Sequence, residues 1–583
     1  MFGDTIIVST VGFHQGDPLA SLLFSVNLQP VIEMIKQKIP SLIINAWYLD
    51  DGVLVGKKAE LQKVIDILLR EGPARGLSLS MTKSNVWCPS DIYDICEDPL
   101  DRGIPPVRET GITVLGSPIG DLQFTQDWIT SKITKVKEIT SSLPLLQDAH
   151  VEFCLLRSCL SLPKIMFTLR TTNPIDNTSL WEEFDTVTRE ALTCILGSPV
   201  NDTQWHQSTI PVSMGGLGLR SAEHHASSAF ITSLIASQPI RKNLLNLTDE
   251  DSQIIVPDNL LAMLSTRQGE EVTAESVQGT TQKAASLQID LHNKSLLIET
   301  ITREDVVRER ARLASLGLPH AGDWLYAIPS PGLTLHLRSQ EFIMAVKYRL
   351  GCPVYTTAGK CPVCPKFSDV YGDHAISCGT EGERIARHNH LRDTLYHTCA
   401  SAALAPTKEG RALLPGTNAR PADVFLPHWS SGKDTAWDVT VVNPLQQELV
   451  EAAATTAGHA LSYAFNWKVS RGGVGAACQR EGIVFIPLPV ETLGGWHETA
   501  VQQIRKLAAA LSRQTGEEES VATGHLYQKL SVHLMKGNSA LLLNRIPTFH
   551  SHIDRTEQTL PNIQPLQLLY FPGDFVPGSF IIL

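Results

Sequence analysis

The sequence predicts an α/β multidomain chain, and three observations carry that expectation. Its 583 residues, 43% of them apolar, suffice for several buried cores. Short apolar runs interrupted by Gly, Pro or acidic residues read as strands at 45–55, 420–442 and 482–489. Longer stretches between them space their apolar residues as helices do. A net charge of −11 argues against a uniformly basic nucleic-acid binder, while leaving room for a local positive groove. No apolar stretch reaches the length of about 18 residues that a membrane span needs. Met1 opens no basic-then-apolar signal pattern, so an intracellular chain is expected. The eleven cysteines are scattered and odd in number, which reads as small buried hydrophobes and no disulfide framework.

Gly12 to Pro18 is a loop opening a helix, with Asp17 as N-cap, Pro18 in the first turn and Leu19, Leu22, Leu23 and Val26 on one apolar face. Asn45 to Leu49 and Val53 to Val55 then flank a two-residue turn closed by Gly52, which sets Asp50 and Asp51 on one exposed hairpin corner. Two carboxylates so close repel each other, and a divalent cation such as Mg²⁺ relieves the repulsion; a solvated Asp-Asp-Gly turn is the plain alternative. Gly76 to Ser84, carrying Lys83, and Val114 to Gly120 are ordinary turn or hairpin segments when read singly. From residue 121 the pattern turns helical, with Trp128, Ile129, Ile133 and Val136 at helical spacing, followed by Phe153 to Leu156 and Leu160. The Gly-Gly-Leu-Gly run at 215–218 interrupts it and reads as a flexible turn. Residues 241–290, rich in Ser, Thr, Gln and Glu, read as a mobile linker. A charged helix is expected over Arg303 to Leu316, capped by Thr302 with Asp305 three residues on. Its Arg308, Arg310 and Arg312 alternate with acids, as on a solvated face.

Cys361, Cys364, His374 and Cys378 form C-x2-C-x9-H-x3-C, a spacing that suits one tetrahedral zinc held by three thiolates and an imidazole. With all four positions filled by protein, such a metal is structural. A helix follows with Arg384, Arg387, His388, Asn389, Arg392 and His397. Asp423 and, fourteen intervening residues later, Asp438 each sit in an apolar run, so adjacent strands would bring the two carboxylates together around a cation. The alternatives are an Asp423–Arg420 salt bridge and a surface Lys468. Helices are expected at about 497–513 and 519–545, with a Pro-rich, poorly ordered tail from Pro547. Gly494-Gly495-Trp496-His497 carries no evident mechanism.

In order and spacing, Gln15-Gly16-Asp17-Pro18, Tyr48-Leu49-Asp50-Asp51-Gly52, the Lys83 segment and Leu115 to Gly120 resemble the B, C, D and E motifs of non-LTR retrotransposon reverse transcriptases. The resemblance implies that Gln15 and Gly16 line template and nucleotide, that Asp50 is a metal ligand with Asp51 a less essential neighbour, and that Lys83 lies near the departing pyrophosphate. It makes the Leu115-Gly116 turn a primer grip, with two Mg²⁺ ions doing the chemistry. A palm of this family draws a further Asp from upstream, yet only fourteen residues precede Gln15, and their one acid is Asp4. The expectation is a chain without fingers and first palm strand that does not polymerise alone.

The zinc knuckle, the Arg-His-Asn helix and Pro421-x-Asp423-x14-Asp438 resemble the restriction-like endonuclease of site-specific non-LTR retrotransposons. That implies a Mg²⁺-dependent nick in target DNA, with Asp423 and Asp438 on the metal and His388 at the edge. Thr440 stands where related nucleases carry a lysine, so Lys468 is the better candidate, reaching in from a following helix. The implied organisation is a partial palm at 1–120, helical thumb at 121–240, linker at 241–290, helical connector at 291–355, zinc knuckle at 356–380, endonuclease at 381–515, and C-terminal helix and tail at 516–583. Implied partners are an RNA template and target DNA, no membrane, and a nuclear location for a functional protein. A decayed or co-opted nucleic-acid-binding remnant and a stand-alone nuclease are the competing readings.

Overall fold

The computed structural model describes residues 16–88, 104, 107, 110–304, 306–379, 382–411, 413–415, 420–546 and 581–582. Gln15, Asp305 and nearly all of the tail from Pro547 lie outside the described residues. The architecture mixes many helices with small sheets. Among the described residues no helix is long and apolar enough to cross a membrane.

Helix α1 (Ala20–Lys38) follows a turn in which the Asp17 carboxylate accepts the Leu19 N–H at 2.8 Å. Its buried face is not the expected one. Leu28, Val31 and Ile35 are buried against Leu61, Val64, Ile65 and Leu68 of α2 (Lys58–Glu71), whereas Leu22 and Val26 are each 61% exposed and Leu19 and Leu23 also face outward. The first two turns of α1 extend past the core that its second half fills.

The hairpin between these helices, β1 (Ile44–Tyr48) and β2 (Asp51–Val55), pairs Tyr48 with Asp51. Its turn is therefore Leu49-Asp50, with Leu49 at φ 57°, and Asp51 opens the second strand. Gly52 does not close the turn as expected. It lies opposite Trp47, where an added Cβ would come within 2.6 Å of the indole, so glycine is there for close approach. A second hairpin, β3 (Gly111–Val114) and β4 (Ser117–Gly120), turns through Leu115 and Gly116 at φ 48° and 78°. Two left-handed residues match the right-handed twist of the strands they join.

A helical body follows: α3 (Leu122–Ser141), α4 (Ala149–Leu155), α5 (Leu162–Thr171), α6 (Thr178–Leu196), α7 (Asp202–Thr209) and α8 (Ala222–Ala236). The turn before α8 is packed, not flexible: Leu217 and Leu219 are fully buried, and the guanidinium of Arg349 donates to Gly216 O, Val212 O and Ala321 O at 3.1, 2.9 and 2.9 Å. The stretch 241–290 is likewise folded. It contains α9 (Asp258–Gln268) and the start of α10 (Gln282–Arg303), and buries Ile254, Val256, Leu260 and Leu264 against Ile231 and Ile289. Few apolar residues suffice there because they are spaced onto one side. The charged segment ends one helix at Arg303 and begins another, α11 (Val307–Leu316). Its arginines are not a solvated face: Arg312 is 1% exposed and donates to Glu309 and Gln207, while Arg308 forms a bidentate pair with Asp373 at 2.5 and 2.9 Å.

After α12 (Ser339–Leu350), the short α13 (Asp373–Ser377) and α14 (Glu383–Ser401) comes a mixed sheet in the order β7-β6-β5, edged by Thr407–Lys408. Strands β5 (Val424–Ser430) and β6 (Lys433–Val442) are antiparallel through the turn Ser431-Gly432, at φ 52° and 80°. Strand β7 (Val484–Glu491) runs parallel to β6 after α15 (Val450–Thr455) and α16 (His459–Ser470). The sheet shares one core with α14, α17 (Glu498–Thr515) and the long α18 (Glu519–Leu543), through Trp437, Leu488, Leu507 and Leu530.

Candidate functional site

Asp423 immediately precedes β5 and Asp438 lies mid-strand in β6, each next to a member of the paired positions Val424 and Trp437. Asp423 is fixed at both ends: its N–H donates to Trp437 O at 2.8 Å, and its Oδ2 accepts the Val439 N–H at 2.7 Å. The other oxygen, Oδ1, lies 3.0 Å from Nε2 of His388 on α14. Asp438 is paired with the Lys468 ammonium of α16 at 2.8 Å. All four side chains are largely buried. Burial pushes the Asp423 carboxyl up, but the His388 ring and the Val439 N–H outweigh it and hold the group below the ordinary aspartate range. Burial raises Asp438 to about 6, the Asp423 charge adding to the effect and the Lys468 ammonium opposing it. Two acids in contact, pushed apart in this way, form an oxygen-only donor pair that the Lys468 ammonium and the His388 ring already contact.

Both simple alternatives for these residues fail. Arg420 pairs with Glu409 at 3.1 Å and not with Asp423, and Lys468 points inward to Asp438. Of the basic residues on α14, Arg387 is buried and donates to Asn538 at 2.7 Å, and Arg392 is tied to Glu409 and Asp393. Arg384, Arg387 and His388 of that helix line a cleft of about 290 Å³ together with Gly379, Thr440, Val441 and Lys468, and through His388 and Lys468 the cleft adjoins Asp423 and Asp438. The Val439 N–H was not visible in the sequence, because a backbone group carries no residue signal. The Gly494 to His497 segment now has a role: the His497 ring caps α17 and stacks on Phe465 of α16 at 4.6 Å and 7°, while Gly494 and Gly495 let the chain turn tightly against Ala321 and Leu318. This brace holds the helix that delivers Lys468.

The ligand atoms of Cys361, Cys364, His374 and Cys378 lie within 4.8 Å of one another, with Cys364 Sγ 3.2 Å from His374 Nε2. Among the described residues this is the one such group of three or more His, Cys, Asp or Glu. Three sulfurs and a ring nitrogen are a donor set suited to zinc. Asp369 organises the knuckle by accepting the N–H groups of Tyr371, Asp373 and His374 at 2.8 to 3.1 Å. Asn443, just beyond β6, ties it to the sheet by donating to Ser377 Oγ at 2.8 Å.

The N-terminal residues are apart from that sheet. Asp50 faces an apolar cavity of about 210 Å³ lined by Phe24, Leu28, Val31, Leu68, Leu77 and Leu79. Asp51 opens β2, Gly16 precedes α1 at φ 95°, and Lys83 lies on the turn 81–83. Leu115 and Gly116 form the separate hairpin tip, where Leu115 is 48% exposed and Phe167 of α5 comes beside Gly116.

No family model matches the chain. Over 284 residues, 48% of its length, it is 22% identical to the Retrotransposable element SLACS 132 kDa protein of Trypanosoma brucei gambiense. The match covers 23% of that relative's length. This distant similarity relates the chain to a retrotransposon protein.

Proposed function

We propose that this chain is a retrotransposon-derived protein whose C-terminal sheet forms a Mg²⁺-dependent DNA-nicking endonuclease, joined to a reverse-transcriptase-type palm fragment and a structural zinc knuckle, and acting on target DNA with an RNA template as further partner. The observation that carries it is the meeting of Asp423, just before β5, and Asp438, in β6, with His388 and Lys468 from two helices, the last two of which line one cleft. Asp423 and Asp438 would hold the ion, since hard carboxylate oxygens suit Mg²⁺ and a cation relieves the strain between two buried acids. Bound there, Mg²⁺ supplies charge stabilisation at the scissile phosphate and lowers the pKa of water. The protein groups do the rest. His388 and the Val439 N–H fix the Asp423 carboxylate, Lys468 offers its ammonium to the phosphate, and Arg384 adds positive charge at the mouth.

A non-enzymatic nucleic-acid-binding remnant is the second reading. It is favoured by one observation, that the Lys468 ammonium and the His388 ring already occupy the two carboxylates proposed to hold the ion. Nicking of supercoiled plasmid separates the two. The expected result is Mg²⁺-dependent relaxation, stopped by EDTA and reduced at least about 100-fold in Asp423→Ala and Asp438→Ala. Equal nicking by these variants sinks the nuclease reading.

A further inference from the structure

We propose that Tyr463, Trp467 and Arg471 form a stacking platform for unpaired nucleotides beside the cleft lined by Arg384, His388 and Lys468, so that the favoured substrate is nucleic acid with a locally unpaired stretch next to the scissile phosphate. The placement of the platform rests on the nuclease reading above.

Helix α16 buries Ala460, Leu461 and Ala464, and that side also carries Lys468 to Asp438. Its outer side repeats at four-residue spacing: Tyr463, Trp467 and then Arg471 in the turn that follows. Tyr463 is 51% and Trp467 41% exposed, so neither ring is consumed by the core. The Arg471 guanidinium carbon sits over the Trp467 ring, 4.3 Å from its centroid, so one face of the indole carries a stacked cation and only the remainder of the ring is open to a base. Trp467 directly precedes Lys468, so the aromatic row starts one residue from the cleft.

The charge fits the same occupant. In a chain of net charge −11, Arg384, Arg387 and Lys468 line this one cleft, and Arg471 lies on the Trp467 ring three residues beyond Lys468. A phosphate backbone is attracted by such a groove, and aromatic faces take bases without regard to sequence. Bases inside a duplex already stack on their neighbours and offer no free face. Unpaired bases do, and that selects a bubble, flap or single strand over a closed duplex.

The test uses the full chain and fluorescence anisotropy in EDTA, with a labelled closed duplex and the same duplex carrying a short central bubble. The bubble is expected to bind more tightly than the duplex. Trp467→Ala should remove about five-fold or more of the bubble affinity, Trp467→Phe should retain it, and duplex affinity should be unchanged in both. Equal affinity of the wild type for the two probes, or equal weakening of both probes by Trp467→Ala, overturns the platform. Plasmid nicking keeps the two readings apart. A wild type that does not nick but shows the Trp467-dependent bubble preference supports the platform while the nuclease reading fails. A wild type that nicks while Trp467→Ala binds the bubble as before overturns the platform alone.

Discussion

Glu491 ends β7 with its carboxyl 1% exposed and hydrogen-bonded by the Ser315 hydroxyl. Burial raises it from the ordinary 4.5 to about 7. The folded state therefore holds a proton that the unfolded chain releases earlier. Its contribution to stability is complete below pH 4.5 and is lost as pH rises through about 7, to an extent on the order of 3 kcal/mol. Glu491→Gln keeps the neutral form at every pH. It should melt above the wild type at pH 8 and approach it below pH 5, measured as the difference in Tm at the two pH values. A difference that does not change with pH contradicts the assignment. Residues of this kind show how much of the site was legible. Asp423 and Asp438 were visible as acids within strand-like runs, and Lys468 as the lysine of a following helix. Arg312 was misread because charge alternation along a helix shows its neighbour Glu309 but not Gln207, which packs over it from α7.

At the scale of elements, the β1–β2 hairpin was legible as two apolar runs about a polar corner, but its register was not. The sequence allows Gly52 to close a turn, and the Trp47 ring decides otherwise by lying across it. Gly52→Ala should force the indole aside at a cost of about 1–3 kcal/mol, speeding hydrogen exchange of the Ile44–Val55 amides roughly ten-fold or more. Unchanged exchange would place Gly52 back in the turn. The apolar face of α1 was misassigned for a related reason: periodicity identifies a stripe, while the length of the partner helix decides which part is covered. The knuckle, by contrast, was readable from spacing alone, since four ligands in fixed order leave few geometries. One zinc per chain is expected by metal analysis, falling to near zero in Cys361→Ser. Because Cys378 adjoins Gly379 on the cleft wall and Asn443 ties Ser377 to β6, chelation should also lower Tm and slow nicking. Loss of zinc with unchanged Tm would detach the knuckle from the sheet.

For the molecule as a whole, the question is whether the C-terminal part folds without what precedes it, as a stand-alone nuclease requires. One core runs through both: Phe153, Leu192, Leu217 and Leu219 pack in the same cluster as Trp324, Phe342, Trp437 and Leu488. Polar ties cross at the same place. Ser339 Oγ accepts the Ala149 N–H at 3.2 Å, and His336 lies 2.7 Å from the Asp148 carboxylate. Arg349 is the most exacting tie. Its guanidinium is fully buried, burial pushes it down to about 9, and two of its three carbonyl acceptors, Val212 and Gly216, come from the preceding body. Cutting at 240 leaves that cation facing a vacated core, a loss of several kcal/mol added to the apolar surface laid open. A fragment of residues 241–583 should therefore be insoluble or melt without cooperativity, whereas residues 122–583 should melt as one unit near the wild-type Tm. The hairpin body differs, because its core of α1 and α2 residues forms its own cluster. A cooperative, soluble 241–583 fragment would contradict this, and with it the structural dependence of the C-terminal sheet on the helices between 122 and 236.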